Sequence, residues 1–222
     1  MIVMYTHFNE ALKWDVTDEK LLQFIPEERR EKCRRYHFDT DKKLCLYGSL
    51  LLQYILAEYF DIHGENVNIG YGKYGKPYLK NTSLSFNISH TKCSVICAVS
   101  SIESVGADAE RIGEIPYEVV ELCFSEKERE TIDKTAENER SAKFYEIWTR
   151  KEAYLKYNGT GLLNEMSKLC TFSSELSEGF YTLHVGNYIY NIYSEKDKEV
   201  KAEYMSVNML TEYFLGMNVS AQ

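Results

Sequence analysis

Four side chains in two short segments could carry chemistry in this sequence. In Trp148–Leu162, WTRKEAYLKYNGTGL, Glu152 and Lys156 stand four apart in a stretch that reads as a helix. They therefore share one helical face, about one turn apart. In Gly106–Glu110, GADAE, Asp108 and Glu110 follow an apolar run at a spacing of two. On a strand, that spacing points both carboxylates to the same side. Three carboxylates that converge beside a lysine make an oxygen-ligand site for a divalent cation, with an ammonium next to it. Such a site suits phosphate chemistry. Taken singly, none of the four is decisive. A Glu–Lys pair at i,i+4 is the ordinary surface ion pair of helices, and Asp108 with Glu110 alone would pass for an exposed strand face.

The elements that must position these groups follow from periodicity and punctuation. Residues 2–6 read as a strand, Asp18–Phe24 and Pro26–Tyr36 as helices, and Lys42–Phe60 as the strongest helix, with apolar residues at helical spacing. Two short strand pieces flank the turn Gly-Lys-Tyr-Gly-Lys-Pro, and SFNISHTKCSVICAVS gives a strand pair that leads to Glu103–Glu110. A helix follows at Tyr117–Leu122. Ser125 with Glu128 three positions on is a capping-box start for the next helix. Ser141–Tyr157 reads as a long helix stopped by Asn158-Gly159. The segments KLCTFSS, FYTLHV, NYIYNIYS and AEYMSVNML read as a strand-rich tail. Each half thus runs from a long helix through a glycine turn, GKYGKP or NGTGL, into strands. The expectation is an α+β fold of two pseudo-duplicated subdomains, 1–105 and 106–222, with the active site at their interface.

Composition limits the partners. A chain of 222 residues with three prolines has the length and the composition for a packed core. A net charge of −8 argues against a general nucleic-acid binder, so any anion site must be built locally. One local source is RREKCRR, with Arg29, Arg30, Lys32, Arg34 and Arg35, although taken alone the interleaved Glu27, Glu28 and Glu31 favour a solvated helix face. No apolar stretch approaches the ~20 residues of a membrane span. The N-terminus lacks a basic region followed by an apolar core. The six cysteines form no CxxC pair, which favours structural thiols in a reduced, cytoplasmic protein.

The motifs taken together say more. GKP at Gly75–Pro77, FNISH at Phe86–His90, GADAE, FSEKE at Phe124–Glu128 and the long motif at Trp148–Leu162 occur in this order. Over roughly residues 20–165 the chain resembles the 4′-phosphopantetheinyl transferases of the long, monomeric type that activates peptide synthetases. That family carries G-(V/I)-D-(I/L)-E, F-(S/A)-xx-E and W-(S/T)-x-K-E-(A/S)-xx-K-xxGxGL. The main departure is Ala107 and Ala109 in place of larger aliphatics, on the strand face away from the carboxylates.

The resemblance implies transfer of the 4′-phosphopantetheine arm of coenzyme A to a serine of an apo acyl or peptidyl carrier protein. It implies Mg²⁺, which these ligands do not distinguish from Mn²⁺, on Asp108, Glu110 and Glu152. Asp108 and Lys156 would then face the cofactor's phosphates. Lys156 would act on the leaving phosphate, and Glu152 would serve as base toward the carrier serine. Lys76, Ser89 and His90 would contact phosphates, with Arg29 and Lys32 near the 3′-phosphate and Lys42 or Lys43 as a further candidate. No membrane and no nucleic acid enter this reading, and a monomer is expected. Retention of Glu152 and Lys156 speaks against a relative that binds coenzyme A without chemistry.

Overall fold

The computed structural model describes residues 1–160 and 166–216. The end of the long motif, Gly161-Leu162, therefore lies outside the described residues. The chain opens with β1 (Ile2–His7), three helices α1 (Val16–Leu21), α2 (Glu27–Arg35) and α3 (Asp39–Phe60), and the small hairpin β2 (Ile69–Tyr71) and β3 (Pro77–Leu79). The hairpin β4 (Ser85–Thr91) and β5 (Ser94–Ser100) closes the first half. The second half has β6 (Gly106–Arg111), helices α4 (Tyr117–Cys123), α5 (Glu126–Lys134) and α6 (Glu137–Asn158), then β7 (Phe180–Val185), β8 (Tyr188–Tyr193), β9 (Lys201–Tyr204) and α7 (Val207–Gly216).

The strand order repeats. In the first sheet, β4-β5-β1-β9, the hairpin strand β5 returns antiparallel to β1; in the second, β6-β8-β7, β8 returns antiparallel to β6. A 22-residue helix precedes the hairpin in each half, α3 in one and α6 in the other. The mixed α+β architecture with a repeated unit agrees with the sequence pattern. The chain after β8, however, goes back to the first half. There β9 pairs parallel with β1, and α7 packs near α1 and α3 through Leu210 and Phe214.

Side-chain alternation sets the layers. One face of the first sheet, with Met4, Val95 and Cys97, packs against Leu44, Leu51 and Ile55 of α3 and its neighbours. The opposite face, with Val3, Ile96 and Ala98, packs on Ala107, Ala109, Tyr190 and Ile192 of the second sheet. Each fully buried Leu or Ile contributes about 1.5–3 kcal/mol on transfer from water. Ala107 and Ala109 are completely covered in this inter-sheet core, and the alternate residues Asp108 and Glu110 point the other way. Helix α6 covers that other side of the second sheet, where Asn191 of β8 donates to the Thr149 hydroxyl at 2.6 Å. Gly106 is what lets α6 lie so close. A Cβ there would stand 1.9 Å from the Ala153 carbonyl oxygen and 2.5 Å from the Tyr157 nitrogen.

Three local expectations change. Helix α6 starts at Glu137, one turn before the expected Ser141. KLCTFSS is not a strand: it leaves the 3₁₀ turn Met166–Lys168 and continues in turns, because the Thr171 amide and hydroxyl are taken by Glu128. AEYMSVNML stops as a strand at Tyr204 and becomes α7, where the Ser206 hydroxyl accepts from the Met209 amide and Leu210 and Phe214 lie inward at helical spacing. Among the described residues, no helix is long and apolar enough to cross a membrane.

Candidate active site

Strands β4 and β6 belong to different sheets, yet alternate side chains of β4 reach β6 along its length. The Ser85 hydroxyl accepts from the Val105 amide at 3.2 Å and Asn87 Oδ1 from the Ala107 amide at 3.0 Å. The Ser89 hydroxyl donates to Asp108 Oδ1 at 2.9 Å and Thr91 to Glu110 Oε2 at 3.0 Å. This row of side chains replaces a backbone ladder and fixes both β6 carboxylates relative to the first sheet. Across the junction lies α6. Lys156 Nζ is 2.5 Å from Asp108 Oδ1 and 2.9 Å from the Ser89 hydroxyl. Glu152, one turn earlier, lines a cavity of about 390 Å³ with Tyr74, Lys76, Asn87, Ile88 and Lys156.

Electrostatics reports how these charges crowd one another. Burial raises the Glu152 pKa above the usual carboxylate range, repulsion by Asp108 and Glu110 adds to this, and Lys156 opposes it. Glu110 is raised in the same way by burial and then by Asp108; the Thr91 hydroxyl, Lys156 and the Trp148 indole N–H pull it back. Three carboxylates against one ammonium leave two negative charges unbalanced, the charge of one divalent cation. Asp108 Oδ2 is buried and has no hydrogen-bond partner. An orphaned buried carboxylate oxygen costs stability that a cation would recover. The donors are all hard oxygens, which fits Mg²⁺. Among the described residues, no three acidic, imidazole or thiol groups already stand close enough to share one ion. In this arrangement the Lys156 ammonium occupies the accessible oxygen of Asp108.

The basic residues divide. Arg29 turns its guanidinium to α3, donating from Nε to the Ser49 hydroxyl at 2.9 Å. Lys32, one turn along α2, is exposed. His90 keeps solvent contact but sits amid enough protein that burial, with Lys156, Lys32 and Arg29 nearby, holds its imidazole below its usual pKa. Arg29, Lys32 and Lys156 thus form one local positive field beside the carboxylates, and the neutral His90 imidazole sits within it. Arg30 and Arg35 pair instead with Glu27 and Glu31 of their own helix. Lys43 is not available to a ligand: it is buried against Asp18 at 2.5 Å, and Lys42 lies over the Trp14 ring. Lys76 does not face an open phosphate site either. Its ammonium donates to the Ser104 hydroxyl, the Val105 carbonyl and the Tyr157 carbonyl at 2.8–3.2 Å.

Motif reading gives no role to Asn87, Thr91 or Lys151, although FNISH holds the first and the long motif the last. The signal for the first two is present as polar residues at every second position of SFNISHT. Lys151 gives none. It is fully buried, 2.8 Å from Glu128, and also donates to the Met166 and Leu169 carbonyls.

The 4′-phosphopantetheinyl transferase superfamily matches residues 104–205, and the N-terminal region of 4′-phosphopantetheinyl transferases matches residues 13–102. The chain is 31% identical over 157 residues to 4′-phosphopantetheinyl transferase ffp of Bacillus subtilis, covering 70% of this chain and 69% of that protein. This chain belongs to the 4′-phosphopantetheinyl transferase superfamily. It is also 32% identical over 146 residues to 4′-phosphopantetheinyl transferase Sfp of Bacillus subtilis (strain 168), covering 65% of each protein. With 4′-phosphopantetheinyl transferase gsp of Aneurinibacillus migulanus it shares 36% identity over 138 residues, 62% of this chain and 57% of that one. The boundary between the two family regions falls between β5 and β6. The superfamily region thus holds Asp108, Glu110, Glu152 and Lys156, and the N-terminal region holds Arg29, Lys32, Lys76, Ser89 and His90.

Proposed function

We propose that this chain transfers the 4′-phosphopantetheine arm of coenzyme A to a serine of an apo acyl or peptidyl carrier protein, releasing adenosine 3′,5′-bisphosphate. The observation that carries the reading is the acidic junction of β4, β6 and α6. On a transferase-family scaffold it gathers Asp108, Glu110 and Glu152 around Lys156 and leaves Asp108 Oδ2 unpartnered.

Asp108, Glu110 and Glu152 would hold Mg²⁺, or Mn²⁺ in its place. When bound, the ion supplies neutralisation of pyrophosphate charge and reverses the repulsion that bare carboxylates would exert. The chain's own groups do the rest. The carrier serine Oγ forms a bond to the phosphorus that bears the pantetheine arm, and the pyrophosphate bond to the 5′-phosphate of the nucleotide breaks. Glu152, whose carboxylate is made more basic by burial and by its acidic neighbours, takes the serine proton. Lys156, partly exposed at the cavity wall, neutralises or protonates the departing phosphate. Arg29, Lys32 and His90 orient the anionic nucleotide, with Ser89 on the phosphates. The net charge of −8 and the absence of disulfides among the described cysteines support a cytoplasmic protein that binds neither nucleic acid nor membrane. The repeated unit within one chain supports a monomer.

The test is incubation with coenzyme A, Mg²⁺ and a panel of apo carriers, followed by intact mass measurement of the carriers. A gain of one phosphopantetheine arm is expected with wild type and is absent with Glu152→Gln at unchanged circular dichroism. Full activity of Glu152→Gln would remove this residue from the chemistry, and no gain on any carrier with wild type would remove the activity.

A further inference from the structure

One side chain of the turn GKYGKP, Lys76, reaches the end of α6 beside Gly159 and the start of β6. The Lys76 ammonium lies 2.8 Å from the Ser104 hydroxyl, 3.2 Å from the Val105 carbonyl and 3.0 Å from the Tyr157 carbonyl. Ser104 donates to that same Tyr157 carbonyl at 2.8 Å. Tyr157 belongs to the last turn of α6, where carbonyls lack helical partners and the helix dipole favours a cation. Val105 immediately precedes β6, the strand of Asp108 and Glu110. Lys76 itself comes just before β3, in the turn of the small hairpin. One cation therefore ties the hairpin to the end of the helix that carries Glu152 and Lys156, and to the start of the strand that carries the other two acids.

Gly159 fits around this contact. It stops α6 with φ of +66°, and a Cβ there would stand 3.2 Å from Lys76 Cδ. Its glycine is needed both for the left-handed turn and for room beside the lysine stem. No carboxylate is among the three acceptors, so the ammonium is held by neutral oxygens alone, and burial lowers its pKa to about 8. Three acceptors fill the three N–H donors of a lysine. Nothing is left over for a phosphate.

The geometry points to Lys76 as a positioning residue, acting through α6 on Lys156 and Glu152 and setting the width of the 390 Å³ cavity between the hairpin and the helix, and not as a phosphate ligand. This inference rests on the transferase reading for its kinetic consequence, although the contact itself does not depend on it. Misplacement of a catalytic group by a fraction of an ångström to an ångström slows chemistry without weakening ground-state binding of a substrate held elsewhere.

The test compares full-length wild type with Lys76→Met, Lys76→Arg and Ser104→Ala. Coenzyme A affinity is measured by calorimetry with Mg²⁺, and kcat and KM with an apo carrier. For Lys76→Met the expected result is a coenzyme A Kd within about threefold of wild type and a kcat lower by about tenfold or more. Lys76→Arg keeps the charge but spreads its donors in a planar fork, and it does not restore kcat. Ser104→Ala, which removes one anchor and no charge, gives a smaller fall in kcat at the same Kd, and it carries the test if Lys76→Met does not fold. A Kd raised about tenfold in Lys76→Met and recovered in Lys76→Arg would make Lys76 a phosphate ligand and overturn the inference, as would an unchanged kcat. If wild type modifies no carrier, the transferase reading fails separately. The positioning role is then read from amide hydrogen exchange at residues 155–159, faster in Lys76→Met if the tie holds the helix end and unchanged if it does not.

Discussion

At the scale of single residues, the acidic site is governed by what its neighbours donate. Glu110 has an ordinary side chain placed where burial and Asp108 press it toward protonation, while Thr91, Lys156 and Trp148 resist. Of these, Thr91 is the most dispensable for folding, since valine has the same shape and a comparable preference for strands. Thr91→Val deletes the 3.0 Å hydrogen bond to Glu110 Oε2 and frees the carboxylate to turn. Partners of metal-binding carboxylates are worth about 10–100-fold in metal affinity or activity. The Mg²⁺ concentration for half-maximal transfer is therefore expected to rise by about tenfold or more in this variant. Coenzyme A affinity at saturating Mg²⁺ should stay as in wild type. A Thr91→Val protein with an unaltered Mg²⁺ requirement would show that Glu110 is oriented by Trp148 and Lys156 alone.

At the scale of elements, helix α6 is held from two sides. Gly106 admits its backbone to β6, and the Glu128–Lys151 pair, both residues fully buried, fastens it to α5 and to residues 166–171. Removing one partner of a buried ion pair leaves the other charge uncompensated and costs about 3–5 kcal/mol. Lys151→Met should lose about that much in urea unfolding, and Lys151→Met with Glu128→Leu should recover part of it. An additive double variant would mean that Lys151 matters through its bonds to the Met166 and Leu169 carbonyls and not through Glu128. This network also shows where sequence reading stops. Ser125 and Glu128 form the capping box that local spacing announces, with Glu128 Oε2 accepting from the Ser125 amide at 2.8 Å. The same carboxylate also serves Thr171 and Lys151, at distances along the chain that no local pattern encodes. Lys151 sits between Arg150 and Glu152 in a run of charges that reads as a solvated face, and KLCTFSS has strand-forming residues whose backbone is engaged elsewhere. Asp108, Glu110, Glu152 and Lys156 are legible because strand and helix periods are local. Lys76 is legible as a residue of interest and misleading as to its partners, because its acceptors lie 28–81 positions away.

At the scale of the molecule, the candidate site draws on both sheets and on α6, so a ligand that satisfies this seam should stabilise the whole chain. The first sheet contributes Ser89 and Thr91, the second contributes Asp108 and Glu110, and α6 contributes Glu152 and Lys156. In the metal-free protein the acids at this seam oppose folding. Glu110 and Glu152 have folded-state pKa values above their ordinary ones, so their ionised forms cost stability at neutral pH. That cost is fully present above the raised folded values and fades as pH falls through them toward the unfolded values. Mg²⁺ held by the ionised carboxylates, as proposed, would raise Tm at pH 7 by an amount that grows with its concentration. As pH falls through the raised range, protons compete with the ion, and the Mg²⁺-induced shift should shrink and vanish. Asp108→Asn removes one negative charge, together with its ion pair to Lys156. Its Tm should respond little to Mg²⁺. Thermal melts of both proteins at several pH values, with and without the ion, give the answer. An Asp108→Asn protein that still gains the full Mg²⁺ shift would place the cation away from the seam, and a wild-type shift that persists below the carboxylate range would exclude Glu110 and Glu152 as the groups that bind it.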